Sequence, residues 1–268
     1  MNPSLAKGLR NQLFREIDDD IAAFISKWRA YCQKSKPYKS RSNWMKFSND
    51  IESVYGQYML ANHSGGTDRK PFLCLSTFEN TERTFNTWSE RCLSSKVLYF
   101  NFDPIGVNSQ QSGFNISEHA IQRIFQRSYS DQDPMAESFK KINFTNELRL
   151  APLWSFFWSL LLIELSNSKK VTDIGISVII PTVSGLLLGE IFPSNFHKCE
   201  IRTFISKQQF SAVQLVHWQL MMRISEKYLK SVIPFLCFEF IYAKPGSLDR
   251  LVEFISDTQE LRQQLGFV

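Results

Sequence analysis

Residues Leu150 to Leu165 are the most apolar stretch of the chain and carry Trp154, Phe156, Phe157 and Trp158. The uninterrupted apolar part is shorter than the roughly 20 residues a bilayer-spanning helix needs, and Glu164 lies near its end. Such a segment has to be wrapped by the rest of the protein, so a buried central helix and no membrane span are expected. A chain of 268 residues is long enough to build a substantial core around it, as one large domain or two ordinary ones. The 23 Phe residues argue against disorder, which goes with few aromatics and high charge density. Residues Met1 to Asp20 are polar and carry both charge signs, unlike a secretory signal.

The five cysteines (Cys32, Cys74, Cys92, Cys199 and Cys237) are widely spaced and never form a C-x-x-C pair. Free thiols in a reducing compartment, and hence a cytoplasmic location, are expected. None of the four histidines (His63, His119, His197 and His217) has ligand spacing to a cysteine, so neither a metal nor a cofactor is expected. The net charge of +5 permits an anionic partner but is far from a polybasic balance.

Apolar periodicity predicts a helix over Leu5 to Cys32, with Leu9, Leu13, Ile17, Ile21, Phe24, Ile25 and Trp28 on one side. A second helix is expected over Trp44 to Leu60, then a loop from His63 to Thr67. Residues 1–65 therefore read as a helical N-terminal region and 66–268 as an α+β domain. In that second part Pro71 to Phe78, Val97 to Phe102, Ile174 to Ile180, Gly185 to Ile191 and Glu200 to Ile205 read as strands. Ser117 to Ser128, Glu137 to Ser166, Phe210 to Lys230 and Leu248 to Leu265 read as helices, and Val232 to Tyr242 fits either a strand or a buried helix. The expected fold class is α+β, a mainly antiparallel sheet covered by helices, with a helical N-terminal region.

The chemistry-bearing candidate is the segment Ile116 to Ser128. Ser117 is placed to cap a helix, with Ile116 and Ile121 at the positions of a hydrophobic staple. Helical spacing gathers Ala120, Ile121, Ile124, Phe125 and Ser128 on one side, and His119, Gln122, Arg123, Gln126 and Arg127 on the other. A histidine in the first turn lies where backbone N–H groups and the helix dipole favour an anion. Imidazole suits proton transfer near neutral pH, and two guanidinium groups can hold a phosphate. The same face is also what any solvated amphipathic helix presents.

This His-x3-Arg-x3-Arg run resembles the opening helix of small bacterial toxin domains of the RelE/colicin-like ribonuclease group, in which the helix precedes a compact antiparallel sheet. The resemblance covers residues 116–206. It implies His119, Arg123 and Arg127 as catalytic residues, with Thr203 at the polar position of a late strand. It further implies metal-independent RNA cleavage by a toxin or defence effector, and a neutralising or complex-forming protein partner. The long apolar segment Glu137 to Ser166 between helix and sheet departs from the pattern of that group.

A second constellation is basic and aromatic. Lys34, Lys36, Lys39, Arg41 and Lys46 interleave with Tyr31, Tyr38 and Trp44, with no acidic residue between Lys34 and Lys46. Cations that track phosphates and rings that stack on bases suit a single-stranded nucleic acid such as RNA. A solvated linker has the same composition. This segment supports the alternative reading, a non-catalytic nucleic-acid-binding or partner-binding subunit of a bacterial defence or mobile-element system.

Overall fold

A computed structural model of the chain describes residues 1–35, 42, 62–65, 72–84, 89–102, 105–128, 147–148, 150–167, 175–192, 199–228 and 247–266. Helix α1 (Pro3–Ser35) extends the expected helix by a few residues at each end. Leu9, Leu13, Ile17, Phe24 and Trp28, five of the residues its periodicity placed on one side, are all buried. The strands are β1 (Asn62–Gly65), β2 (Phe72–Thr84), β3 (Ser89–Phe102), β4 (Ile105–Ser117), β5 (Ile176–Pro181), β6 (Gly185–Ile191) and β7 (Cys199–Ser206). Between β4 and β5 lie α2 (Glu118–Ser128) and α3 (Ala151–Asn167); α4 (Ala212–Tyr228), α5 (Ser247–Asp257) and α6 (Gln259–Gln264) follow β7.

The fold is α+β. Its sheet runs in the order β1-β2-β3-β4-β7-β6-β5. Every neighbouring pair is antiparallel except β4 and β7, which run parallel over Phe114 to Ile116 against Cys199 to Ile201. The three successive strands expected between Ile174 and Ile205 are present as the antiparallel trio β5, β6 and β7. The first half of the sheet is larger than expected: β2 and β3 run well beyond Pro71 to Phe78 and Val97 to Phe102, and β4 was not expected at all. Residues 63–65, expected to open a loop, belong to the edge strand β1. The reason is compositional. Asn108, Ser109, Gln110, Gln111 and Ser112 in β4 lack the β-branched and aromatic residues by which strands are recognised, and their order comes from pairing with β3.

Alternation along the strands divides the sheet into two faces. Phe78, Leu93, Phe114, Ile116 and Ile201 belong to the core, together with α1, α2 and α3 residues such as Phe14, Phe125 and Phe157. Thr81, Ser94 and Asn115 form a polar hydrogen-bonded ladder across β2, β3 and β4, with Thr81 Oγ1 2.8 Å from Ser94 Oγ.

Helix α3 is the buried centre. Trp154, Phe157, Trp158, Leu161 and Leu162 are all at most 2 % exposed. The two indoles satisfy their N–H groups inside the core. Trp154 Nε1 donates to Ser225 Oγ (2.9 Å) and Trp158 Nε1 to the Ile179 carbonyl (2.7 Å). Burial of each such aromatic stabilises the fold by about 2 kcal/mol. Among the described residues, no helix is long and apolar enough to cross a membrane. The helix expected over Leu248 to Leu265 is divided into α5 and α6 at the buried Thr258, whose hydroxyl donates to the Ile255 carbonyl (2.8 Å). The expected elements Trp44 to Leu60 and Val232 to Tyr242, and residues 137–146, lie outside the described residues.

Two irregularities shape the middle of the sheet. Between β3 and β4 the register shifts after Ser94, close to Gly113, whose φ of 76° lies in the left-handed region that glycine adopts without strain. Between β6 and β7, Leu188 pairs with Thr203 and Gly189 with Ile201. Arg202 is thus the extra residue of a β-bulge, a device that bends a strand and re-aims a side chain. A side chain at Gly189 would collide with the Glu200 carbonyl, so the bulge and the glycine belong together.

Candidate functional site

Helix α2 starts as its sequence dictates. Ser117 Oγ accepts a hydrogen bond from the Ala120 N–H (3.2 Å), and Ile116 and Ile121 are fully buried beside it. Ala120, Ile121, Ile124 and Phe125 fill the core, which leaves the His119 side of the helix facing out. Met1 and, in α1, Arg10 reach the same helix: the N-terminal ammonium donates to the Gln126 carbonyl (3.0 Å) and Arg10 to Gln122 Oε1 (3.1 Å).

Of the candidates that helical spacing had grouped, the structure keeps His119 beside Arg123 and turns Arg127 elsewhere. His119 is exposed, and its Nε2 lies 3.4 Å from Arg123 Nε. Arg123 also donates to Gln126 Oε1 (3.2 Å), one turn along the same helix. Arg127 points the other way and donates to the main-chain carbonyl of Phe204 in β7. Burial, and after it the charge of Arg123, lowers the pKa of the Arg127 guanidinium. This arginine ties the end of α2 to the sheet. Thr203 is half-buried on β7 opposite Leu188.

A pocket of about 450 Å³ opens at the start of α2. His119 lines it, and Arg123, Arg127 and Thr203 do not. The other walls come from four strands: Arg83 of β2, Glu90 of β3, and Glu200 and Arg202 of β7, with Cys92, Asn115 and Ser117 also lining it. Glu90 Oε1 lies 3.5 Å from the His119 N–H. Arg83 forms an ion pair with Glu200, and because β3 and β4 separate their strands, this pair crosses two strands. Arg202 is held 3.0 Å from Glu190. The pocket therefore presents two guanidinium groups, two carboxylates and one imidazole.

Cys92 lines the pocket as a buried thiol. Burial, and next the carboxylate of Glu90, pushes its thiol up to about 11, so it stays protonated at neutral pH. Among the described residues, no three His, Cys, Asp or Glu side chains gather where they could hold a metal ion. Cys32, Cys92 and Cys199 are free and buried. His217 lies in α4, next to Trp218, whose Nε1 donates to the Thr182 carbonyl (2.9 Å). Lys34 lies at the end of α1. Lys36, Lys39, Arg41, Lys46 and His197 lie outside the described residues.

Sequence reasoning missed Arg83, Glu90, Glu200 and Arg202. Two signals pointed toward them. Glu200 and Arg202 alternate with Ile201 in a segment correctly read as a strand, so they share a face. Arg83 and Glu90, of opposite charge, are directly paired across the β2–β3 hairpin. No protein-family model, curated protein or solved structure matches the chain, so the site rests on its own geometry.

Proposed function

We propose that the chain is a ribonuclease-like toxin or defence effector that cleaves RNA without a metal, and that the reaction takes place in the His119 pocket. One observation carries this reading: His119, in the first turn of α2, opens onto the same pocket as two arginines and two carboxylates from the sheet. In this reaction the RNA 2′-oxygen attacks phosphorus as its proton is removed. The bond to the 5′-oxygen then breaks, that oxygen takes up a proton, and a 2′,3′-cyclic phosphate remains. His119 is the group suited to move these protons. Arg83 and Arg202 offset the charge that accumulates on the phosphoryl oxygens. The resemblance of residues 116–128 to the helix of RelE/colicin-like toxin domains supports the same reading, with the phosphate-holding role moved from Arg123 and Arg127 to the arginines of the sheet.

One feature favours the alternative of a non-catalytic nucleic-acid-binding or partner-binding subunit. Both pocket arginines are already paired with carboxylates, as they are in many purely structural networks. Induced expression in a bacterial host separates the two readings. Arrest of growth by the wild type and its relief by His119→Ala support the ribonuclease. Unimpaired growth with both supports the binding subunit.

A further inference from the structure

The Arg83–Glu200 pair has an unusual path for a surface ion pair. Its partners lie on β2 and β7, and the pocket residues Cys92, Asn115 and Ser117 of β3 and β4 lie between those strands. The pair therefore runs across the pocket rather than along its rim. Glu200 is the more enclosed partner, with its side chain 13 % exposed against 38 % for Arg83. Arg202, two residues along β7 from Glu200, lines the same pocket. Glu200 thus occupies the guanidinium of Arg83, where an anionic ligand would be held, while Arg202 on the same pocket is held by Glu190 of the neighbouring strand. Oxygen atoms of a phosphate and of a carboxylate make the same charge-assisted contacts to a guanidinium.

We propose that Arg83 and Arg202 form a phosphate-binding subsite and that Glu200 is its internal occupant, an acidic side chain that a phosphate group must displace from Arg83. This inference rests on the reading of the pocket as a site for RNA, and it adds how that site is held closed. Only the fraction of molecules with Glu200 swung away is competent to bind. The apparent affinity for phosphate is lowered by that fraction. Removing the carboxylate charge should restore it.

The test is calorimetric titration of the full chain with inorganic phosphate and, separately, with a 2′-O-methyl RNA oligonucleotide that cannot be cleaved through its 2′ position. Glu200→Gln should bind both at least tenfold more tightly than the wild type. Arg83→Gln should bind both more weakly, and adding Glu200→Gln to it should restore nothing. Tightening confined to inorganic phosphate marks a site for the free ion. Tightening with both probes marks one for a phosphate within RNA. Glu200→Asp, which keeps the charge but draws it back from Arg83, should give a smaller gain and serves if the glutamine variant folds poorly. Glu79→Gln removes the same charge from a carboxylate that pairs with Lys96 outside the pocket, and should leave affinity nearly unchanged. The proposal is overturned if Glu200→Gln binds no more tightly, if its gain survives the loss of Arg83, or if Glu79→Gln gains equally. Because no cleavage is measured, the two readings fail separately. Tighter phosphate binding in a protein that cleaves no RNA keeps the subsite and removes the ribonuclease, and His119-dependent cleavage with unchanged phosphate affinity does the reverse.

Discussion

Gly189→Ala probes the bulge that carries Glu200 and Arg202. A methyl group built on Gly189 would lie 2.8 Å from the Glu200 carbonyl carbon and from the Ile201 Cα, and closer still to the Glu200 oxygen. Ordinary contact begins near 3.4 Å, so β6 and β7 would have to part locally. Overpacking of this kind costs about 1–3 kcal/mol. Losing or stretching two ladder hydrogen bonds adds about 2 kcal/mol. The expected loss is therefore about 3–5 kcal/mol, a fall in Tm on the order of 10 °C for a chain of this size. Gly8→Ala is the matched control. Gly8 is an exposed residue of α1 and nothing lies within 4 Å of its added methyl, so the change should raise stability by about 0.5–1 kcal/mol. Thermal melts of both variants, followed by circular dichroism, provide the comparison. A Gly189→Ala protein that melts within 2 °C of the wild type would show that the strands yield freely there, and that the bulge does not hold the pocket wall.

Phe125 is 2 % exposed, so Phe125→Ala should lower stability by about 3–5 kcal/mol in chemical denaturation. Arg127→Ala should cost about 1–3 kcal/mol because it leaves the Phe204 carbonyl without its donor, whereas Arg123→Ala should stay within about 0.5 kcal/mol; equal melting of the two variants would contradict the division of roles drawn from their contacts. Burial pushes the Cys199 thiol up to about 12 from an ordinary 9.0, so the unfolded chain releases this proton first. The stability due to this neutral thiol is whole below pH 9 and falls by about 1.4 kcal/mol per pH unit between 9 and 12. Melts from pH 8 to 10.5 should show a shallower alkaline decline for Cys199→Ala than for the wild type, and identical slopes would refute the assignment.

Helix α2 was legible in the sequence, apart from the direction of Arg127, because its cap and its buried face are local. Its cap, its staple and its two faces follow from spacings of three and four residues. The trio β5, β6 and β7 was legible because its strands are short and rich in apolar residues. Strand β4 was not, since polar residues such as Asn108 and Gln111 gain their order from β3, a partner that no local pattern names. The site was legible only at His119. Its other charged walls come from strands whose order in the sheet is non-sequential, β4 lying beside β7, and periodicity says nothing of neighbours brought together by tertiary pairing. Helical spacing put Arg127 beside His119 in good faith. What it could not show was the Phe204 carbonyl waiting on another element.

The most direct test of the His119 pocket is cleavage of a short RNA in the presence of EDTA, followed by analysis of the product ends. The wild type should leave 2′,3′-cyclic phosphate. His119→Ala should slow the reaction by about 10²–10⁴-fold and Arg83→Gln should also slow it, while Arg123→Ala should stay near the wild-type rate. Wild-type cleavage by His119→Ala would contradict the assignment, as would activity that depends on Arg123 and Arg127 but not on Arg83.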